Sequence, residues 1–401
     1  MTQPTPGSAT VDCAAVDFDL SGDQQALRDA AASLLDGMAG SDALRARVGP
    51  GAIVGTLPGA GEVPRDGAAD APRGYDEAVW SAMADQGWLA IELPEDEGGL
   101  GLGMVELAVL CEEIGRRLVA APFLSSTLAL AALCGEAARA EAGTKDWREA
   151  LGQGAGVGCV AATPGPSGLA VEESAGQVRL RGRTPPVAYA PSADVAVVLA
   201  DDGGVYGVDL RAAARPTPLA AMDRTRELGV LAFDGTPALF LGGEDAAALL
   251  VDRAATLASA EMLGAADHVL ALSVQYAKDR VQFGKPIGSF QAVKHMLADA
   301  LVDVEGMRST VYYAAWCAAA GDPERSLSAS MAKAWCSDAS RRVMASGLQV
   351  HGGIGFTWEH DMHLYLKRAQ LDQVSYGDAA AHRDRIATLL RARLEAGQPL
   401  S

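Results

Sequence analysis

The apolar positions at the start of the chain recur with a helical period. Leu27, Ala31, Leu34 and Leu35 fall three or four residues apart, and Ser21 or Asp23 stands where a helix cap belongs. The same period returns over 75–86 and again over 104–118, where Val105, Ala108, Val109, Glu112 and Ile114 follow one helical repeat. Residues 1–17 lack any such pattern and read as a disordered N-terminus. The stretch 48–73, rich in Gly, Pro and Asp, reads as a long loop. Between the second and third helices, 87–102 is a turn segment whose glycines admit positive φ.

From about 154 to 241 the period shortens to that of strands. Runs beginning at Val178, Val195, Val205 and Val230 are short, β-rich and separated by turn residues, which predicts a small all-β unit. From Ala246 to Leu394 the helical period resumes, with Val293, Leu297, Leu301, Val304, Val311 and Ala315 predicted along one face of a long bundle helix. The pattern therefore predicts a mainly α protein with an inserted small β domain. Its expected units are an N-terminal helical domain over 18–150, a middle β domain over 151–245 and a C-terminal helical bundle over 246–401.

Composition narrows the function. The chain has 401 residues, enough for two or three packed units, and only 5% of them are aromatic. Its 51 acidic and 33 basic residues leave a net charge of −18, which disfavours nucleic acid and anionic membranes as partners. No secretory signal precedes the first helix, and no apolar run reads as a membrane span, so a cytoplasmic protein is expected. The cysteines are scattered without a C-x-x-C pair, so neither a disulfide frame nor a metal site is predicted.

Two motifs carry candidate chemistry. Arg280 ends a predicted helix just before the turn Val281-Gln282-Phe283-Gly284, and Gln291 opens the next helix. An arginine there offers planar, permanently charged recognition of a phosphate, and Phe283 can cover a ring system. Downstream, Gln349-x-x-Gly352-Gly353-x-Gly355 has the composition of a loop whose backbone N–H groups approach an anion. Either motif alone also suits an ordinary helix corner or a glycine-rich C-cap, and His351, inside the second, reads as a packed or capping residue.

Together, in this order and with a long helix between them, the motifs resemble the acyl-CoA dehydrogenase family. The resemblance extends to Gly87-Trp88, Pro94-Glu95, Gly98-Gly99, Glu113-x-Gly115-Arg116, and the stretch from Met222 to Arg226. It implies FAD as cofactor, an acyl-CoA thioester as substrate, α,β-dehydrogenation as the reaction, and an electron-transfer acceptor protein. It also implies that Arg280, Gln282, Phe283, Gln291, Gln349, Gly352 and Gly353 grip the ADP and pyrophosphate of an FAD whose ring lies in a neighbouring subunit.

The chain departs from the family pattern in two places. Where the family carries a T-E-P-x-x-G-S-D-like segment and a K-x-W-I-[TS]-like strand to hold the flavin ring, this chain has Thr163-Pro-Gly-Pro-Ser167 and Arg183-Thr-Pro-Pro-Val187. Its second departure is the base. The family's glutamate before a late glycine is here Tyr376, before Gly377, and the alternative position holds Ala254 and Ala255. Asp378 and Glu261 are the candidate replacement bases, with Asp252 more distant; each reads equally as a solvated acid or a helix cap.

Three readings follow. The first is a heteromeric acyl-CoA dehydrogenase, in which a related partner chain supplies the flavin cradle and the glutamate; some actinobacterial enzymes acting on bulky CoA esters, including steroid side chains, resemble such an arrangement. The second is a homomeric enzyme with Asp378 or Glu261 as base. The third is a flavin-free structural or regulatory subunit.

Overall fold

The computed structural model describes residues 20–48, 74–174, 176–213, 216 and 218–398. The expectations for residues 1–17 and for most of 48–73 lie outside them. Helix α1 (Gly22–Met38) starts where its cap residue predicts. The Ser21 hydroxyl accepts from the Gln24 N–H at 3.2 Å, and the Gln24 side chain accepts from the Ser21 N–H at 3.0 Å. After α2 (Ser41–Val48), Asp76 caps α3 (Glu77–Asp85). The connection onward to α4 (Met104–Arg116) turns on Gly87, Gly98 and Gly101, with φ of 71°, 82° and 62°, which only glycine adopts without strain. Three further helices, α5 (Phe123–Leu133), α6 (Glu136–Ala140) and α7 (Thr144–Gly152), complete this region.

The middle region is a β unit. Its strands are β1 (Gly158–Ala161), β2 (Leu169–Ser174), β3 (Gln177–Ala188), β4 (Val195–Leu199), β5 (Val205–Asp209), β6 (Pro218–Leu219) and β7 (Leu228–Gly242). They run in the order β1-β4-β5-β7-β3-β2, with β6 also on β7; β1 and β4 are parallel and the other pairs antiparallel. The β3–β7 register slips between Arg183 and Pro186, where Pro185 and Pro186 have no N–H to give the ladder.

The C-terminal region holds α8 (Glu244–Asp279), α9 (Gln291–Ala320), α10 (Arg325–His351), α11 (Met362–Val374) and α12 (Ala379–Glu395). A two-residue hairpin, β8 (Val281–Gln282) with β9 (Lys285–Pro286), joins α8 to α9. Helix α10 is the hub, packed against α8, α9, α11 and α12. Helix α8 is long and apolar enough to span a membrane by length and composition, yet 72% of its apolar window is buried inside the fold.

Helix α9 corrects one expectation. Its buried stripe runs through Ala300, Val304, Met307 and Val311, and Leu301 is 49% exposed. One residue is about 100° of helix rotation, so a stripe centred on Ala300 turns Leu301 outward.

Helices α4 and α8 cross in unusually close contact. A Cβ on Gly115 would lie 2.0 Å from the Glu261 carbonyl oxygen, and one on Gly264 would lie 1.8 Å from that of Glu112. Each glycine thus admits the other helix's backbone, and the small residues around Gly264 serve this crossing.

Candidate functional site

The hairpin after α8 is built for display. Arg280 ends the helix with φ −74° and ψ 117°, and its carbonyl oxygen accepts from the Ile287 N–H at 2.8 Å, closing the hairpin base. Phe283 and Gly284 occupy the two central turn positions at φ 55° and 77°, both left-handed, as a tight two-residue hairpin demands. The Phe283 ring is 92% exposed and meets Phe290 edge-on at 6.1 Å, while the Lys285 ammonium lies 4.5 Å from the Phe290 ring. Arg280, Gln282 and Gln291 are exposed around it, and Arg280 has no acidic partner among the described residues.

The glycine loop is equally open. Gln349 is exposed on the last turn of α10, and Gly352 follows at φ 62°, ψ −142°. A Cβ on Gly352 or Gly353 would meet nothing within 4 Å, so these glycines present bare backbone to solvent rather than to packing. Beneath the loop, His351 stacks on Tyr276 at 4.6 Å and lies 4.5 Å from His360, with Nδ1 2.7 Å from the Gly347 carbonyl oxygen. Burial holds the His351 imidazole below the usual histidine range, so it is a neutral packing group.

The second region is a cleft of about 510 Å³ between the 163–166 segment, Leu199–Asp201, the start of α8 and Arg385 of α12. Apart from the residues that line this cleft, a wall of charge is buried between β7, α8 and α11. Arg226, at the entry to β7, donates to Glu261 of α8 at 2.5 Å and to Asp372 of α11 at 2.7 Å. All three are buried, and beside them the buried Arg368 donates to Asp223 at 2.9 Å and to the Thr225 carbonyl oxygen at 3.0 Å. Burial raises the Asp372 carboxyl above the usual range, against the opposing pull of Arg226. The Tyr189 hydroxyl is buried next to this network with no hydrogen-bond partner among the described residues.

Both sequence-derived base candidates are engaged elsewhere. Glu261 is clamped by Arg226, and Asp378 is the N-cap of α12, accepting from the Ala381 N–H at 2.8 Å. Asp252 is buried between Arg325 and Arg385, at 2.9 and 2.6 Å. Tyr376 lies at the turn between α11 and α12 with φ 58°, and burial raises its phenol further from any role as a base.

Sequence reasoning missed Arg226, Asp372, Arg368 and Lys333. Only Lys333 left a local signal: a lone lysine in a helical run of Ala, Ser, Met and Cys.

Comparison with known proteins settles the family. The model "Acyl-CoA dehydrogenase, N-terminal domain" matches residues 60–154 and "Acyl-CoA dehydrogenase, C-terminal domain" matches 243–390. Acyl-CoA dehydrogenase IpdE2 of Mycobacterium tuberculosis is 36% identical over 350 residues, which cover 86% of this chain and 91% of that protein. The chain belongs to the acyl-CoA dehydrogenase family. The family's enzymes are oxidoreductases acting on CH–CH donors. Among solved structures, a chain of the ChsE4-ChsE5 complex from Mycobacterium tuberculosis superposes with a TM-score of 0.81 at 28% identity, covering 94% of this chain and 99% of that one. A chain of a Tcur3481-Tcur3483 steroid ACAD variant gives 0.80 at 27%, covering 93% and 99%.

An acyl-CoA dehydrogenase works with FAD, and this chain's residues fit only part of that cofactor. The exposed guanidinium of Arg280, the open backbone at Gly352 and Gly353, and the free face of Phe283 suit an ADP–pyrophosphate group. The β unit offers little to the flavin ring beyond Thr163, which lines the cleft. The Ser167 hydroxyl and N–H are both taken by Asp201, at 3.0 and 2.8 Å, and Thr184 accepts from the Leu231 N–H. Pro185 and Pro186 carry no donor where the family pattern places its ring-facing residues.

Proposed function

We propose that this acyl-CoA dehydrogenase chain is one subunit of a heteromeric enzyme. It grips the ADP–pyrophosphate half of FAD through Arg280, Gln282, Phe283, Gln291, Gln349, Gly352 and Gly353. An unlike, related chain supplies the flavin-ring cradle and the carboxylate that removes the α-proton of an acyl-CoA thioester.

One observation carries the reading. The groups assigned to the phosphates are exposed and Arg280 has no acidic partner among the described residues, whereas Glu261, Asp252 and Asp378 are each paired or capping. A base must have a lone pair within reach of the proton it takes, and a carboxylate held at 2.5 Å by a buried guanidinium offers none cheaply. Both solved relatives are named as pairs of distinct chains, which supports the same reading. The name of one as a steroid ACAD directs the substrate search to bulky polycyclic CoA esters.

FAD, when bound, supplies the two-electron oxidising chemistry. This chain's share is orientation: Arg280 fixes the phosphates as a planar fork, the Gly352–Gly353 backbone donates at close approach, and Phe283 excludes water from one face.

The test is an absorption spectrum and native mass of the chain purified alone and after co-expression with a candidate partner. A colourless chain that yields a yellow assembly only with an unlike partner is the expected result. One flavin per chain in the isolated protein, with turnover, would replace this reading with the homomeric one. A colourless assembly with every partner would leave a flavin-free structural subunit.

A further inference from the structure

The turn that carries Tyr376 is held by a group with no place in the reading above. Lys333 of α10 is fully buried, with Ala329, Ala332 and Cys336 around it. Its ammonium lies 3.1 Å from the Asp372 carbonyl oxygen, 3.0 Å from that of Gln373, 2.8 Å from that of Gly377 and 3.2 Å from the Ser337 hydroxyl. Three N–H donors thus face four acceptors. Helix α11 ends here, so two of the carbonyls are ones its own ladder leaves free, and a cation is the natural partner for them.

Beyond that end the backbone turns through two left-handed residues, Tyr376 at φ 58° and Gly377 at φ 95°. For an aromatic residue this conformation persists only where its surroundings impose it. The His382 Nε2 lies 3.0 Å from the Tyr376 carbonyl oxygen, and a Cβ on Gly377 would meet Pro164 of the cleft wall at 2.7 Å. The turn is therefore tied to α10, to α12 and to the β unit at once.

We propose that Lys333 is a positioning residue whose buried ammonium gathers the carbonyls of Asp372, Gln373 and Gly377 and so fixes the Tyr376 turn against the cleft. The ammonium is the working form, because a neutral amine has two N–H groups and turns a lone pair toward the carbonyls it should hold. This stands apart from the identity of any partner and from flavin binding.

Burial pushes the Lys333 ammonium down to about 8. The titratable groups that face it are Asp372, whose carboxylate is held by Arg226, Asp378, which caps α12, and Cys336 on its own helix, a thiol that burial pushes up to about 12 and so keeps neutral. His382, pushed down to about 4 by burial, is neutral throughout the window that matters. The folded value lies below the ordinary lysine range, so the unfolded chain holds this proton more tightly. Linkage from this group therefore adds global stability as pH rises from about 8 into the lysine range. The turn itself loosens over the same interval, because opening it withdraws the carbonyls while Lys333 stays buried on α10, so the ammonium favours the closed turn and the neutral amine does not. A local loosening against an opposite global trend is what a merely space-filling lysine does not produce.

The measurement is hydrogen exchange by mass spectrometry on the full chain, following the amides of Gln373, Val374 and Ser375. The Ser375 N–H reports directly, since it donates to the Leu371 carbonyl oxygen at 3.0 Å. Lys333→Met should raise exchange of this segment roughly tenfold, the scale of a lost charge-assisted hydrogen bond, with α8 and the body of α10 unchanged. In the wild-type chain, which needs no substitution to fold, protection corrected for intrinsic base catalysis should fall several-fold between about pH 7 and about pH 9.5. Lys333→Met should lack that step. Equal wild-type protection on both sides of pH 8, or the same step in Lys333→Met, would overturn the assignment. A flavin assay does not bear on either outcome, so this inference and the heteromeric reading fail separately.

Discussion

Arg280 and Arg226 carry the same guanidinium in opposite circumstances. Arg280 stands exposed at the end of α8, at the base of a hairpin that displays an open ring, with no acid among the described residues to hold it. Arg226 is 6% exposed and donates to two buried carboxylates. In the first region the charge is left without an acidic partner among the described residues; in the second it is consumed by the fold. A residue type tells which chemistry a side chain is capable of, and its partners tell whether that capacity remains. Glu261 and Asp378 are acids of the right kind near the right place, and both are engaged.

The largest test of this contrast is Arg226→Met. Removing one partner of a buried pair leaves Glu261 and Asp372 uncompensated, and unfolding in urea should show a loss of about 3–5 kcal/mol. A loss below 1 kcal/mol would mean that the network is not the saturated wall described here. Gly264→Ala probes the helix crossing behind Glu261. Its new methyl meets the Glu112 backbone, and a cost of about 1–3 kcal/mol is expected, with a lowered melting temperature.

Arg280→Ala sharpens the other side. Stability should stay within about 0.5 kcal/mol, as for an exposed site. Flavin occupancy of the assembly, read by absorbance, should fall at least tenfold in affinity, roughly the worth of a charge-assisted phosphate contact. Unchanged occupancy would remove Arg280 from the cofactor grip. The smallest effect is at Asp378. Asp378→Ala should cost about 1 kcal/mol through the lost cap, whereas Asp378→Asn keeps a capping oxygen and should cost almost nothing. Full loss of turnover in a stable Asp378→Asn assembly would restore that residue as a base.

Much of this was legible along the chain, because it is local. The Ser21–Gln24 cap, the left-handed glycines at 87, 98 and 101, and the hairpin at Phe283–Gly284 are each decided within a few residues. The filled wall was not legible. Arg226 reaches Glu261 across 35 positions and Asp372 across 146, and no spacing rule connects them. Glu261 read as a free acid because the residue that holds it belongs to another element. Gly264 was ambiguous for the same reason, since the carbonyl that requires it comes from α4. The parallel pairing of β1 with β4 likewise depends on contacts that alternation along a strand does not encode.

The hairpin between α8 and α9 has an evolutionary consequence. Its shape is settled by the six residues of its own β8–β9 ladder and turn and by a closing backbone bond from Ile287 to Arg280, and its key ring meets Phe290 edge-on. Such a module is inherited as a unit and asks nothing of the distant wall. A duplicated gene can therefore lose one half of an ancestral active site by drift while this half stays intact, and two diverging copies become mutually dependent without either having to invent anything.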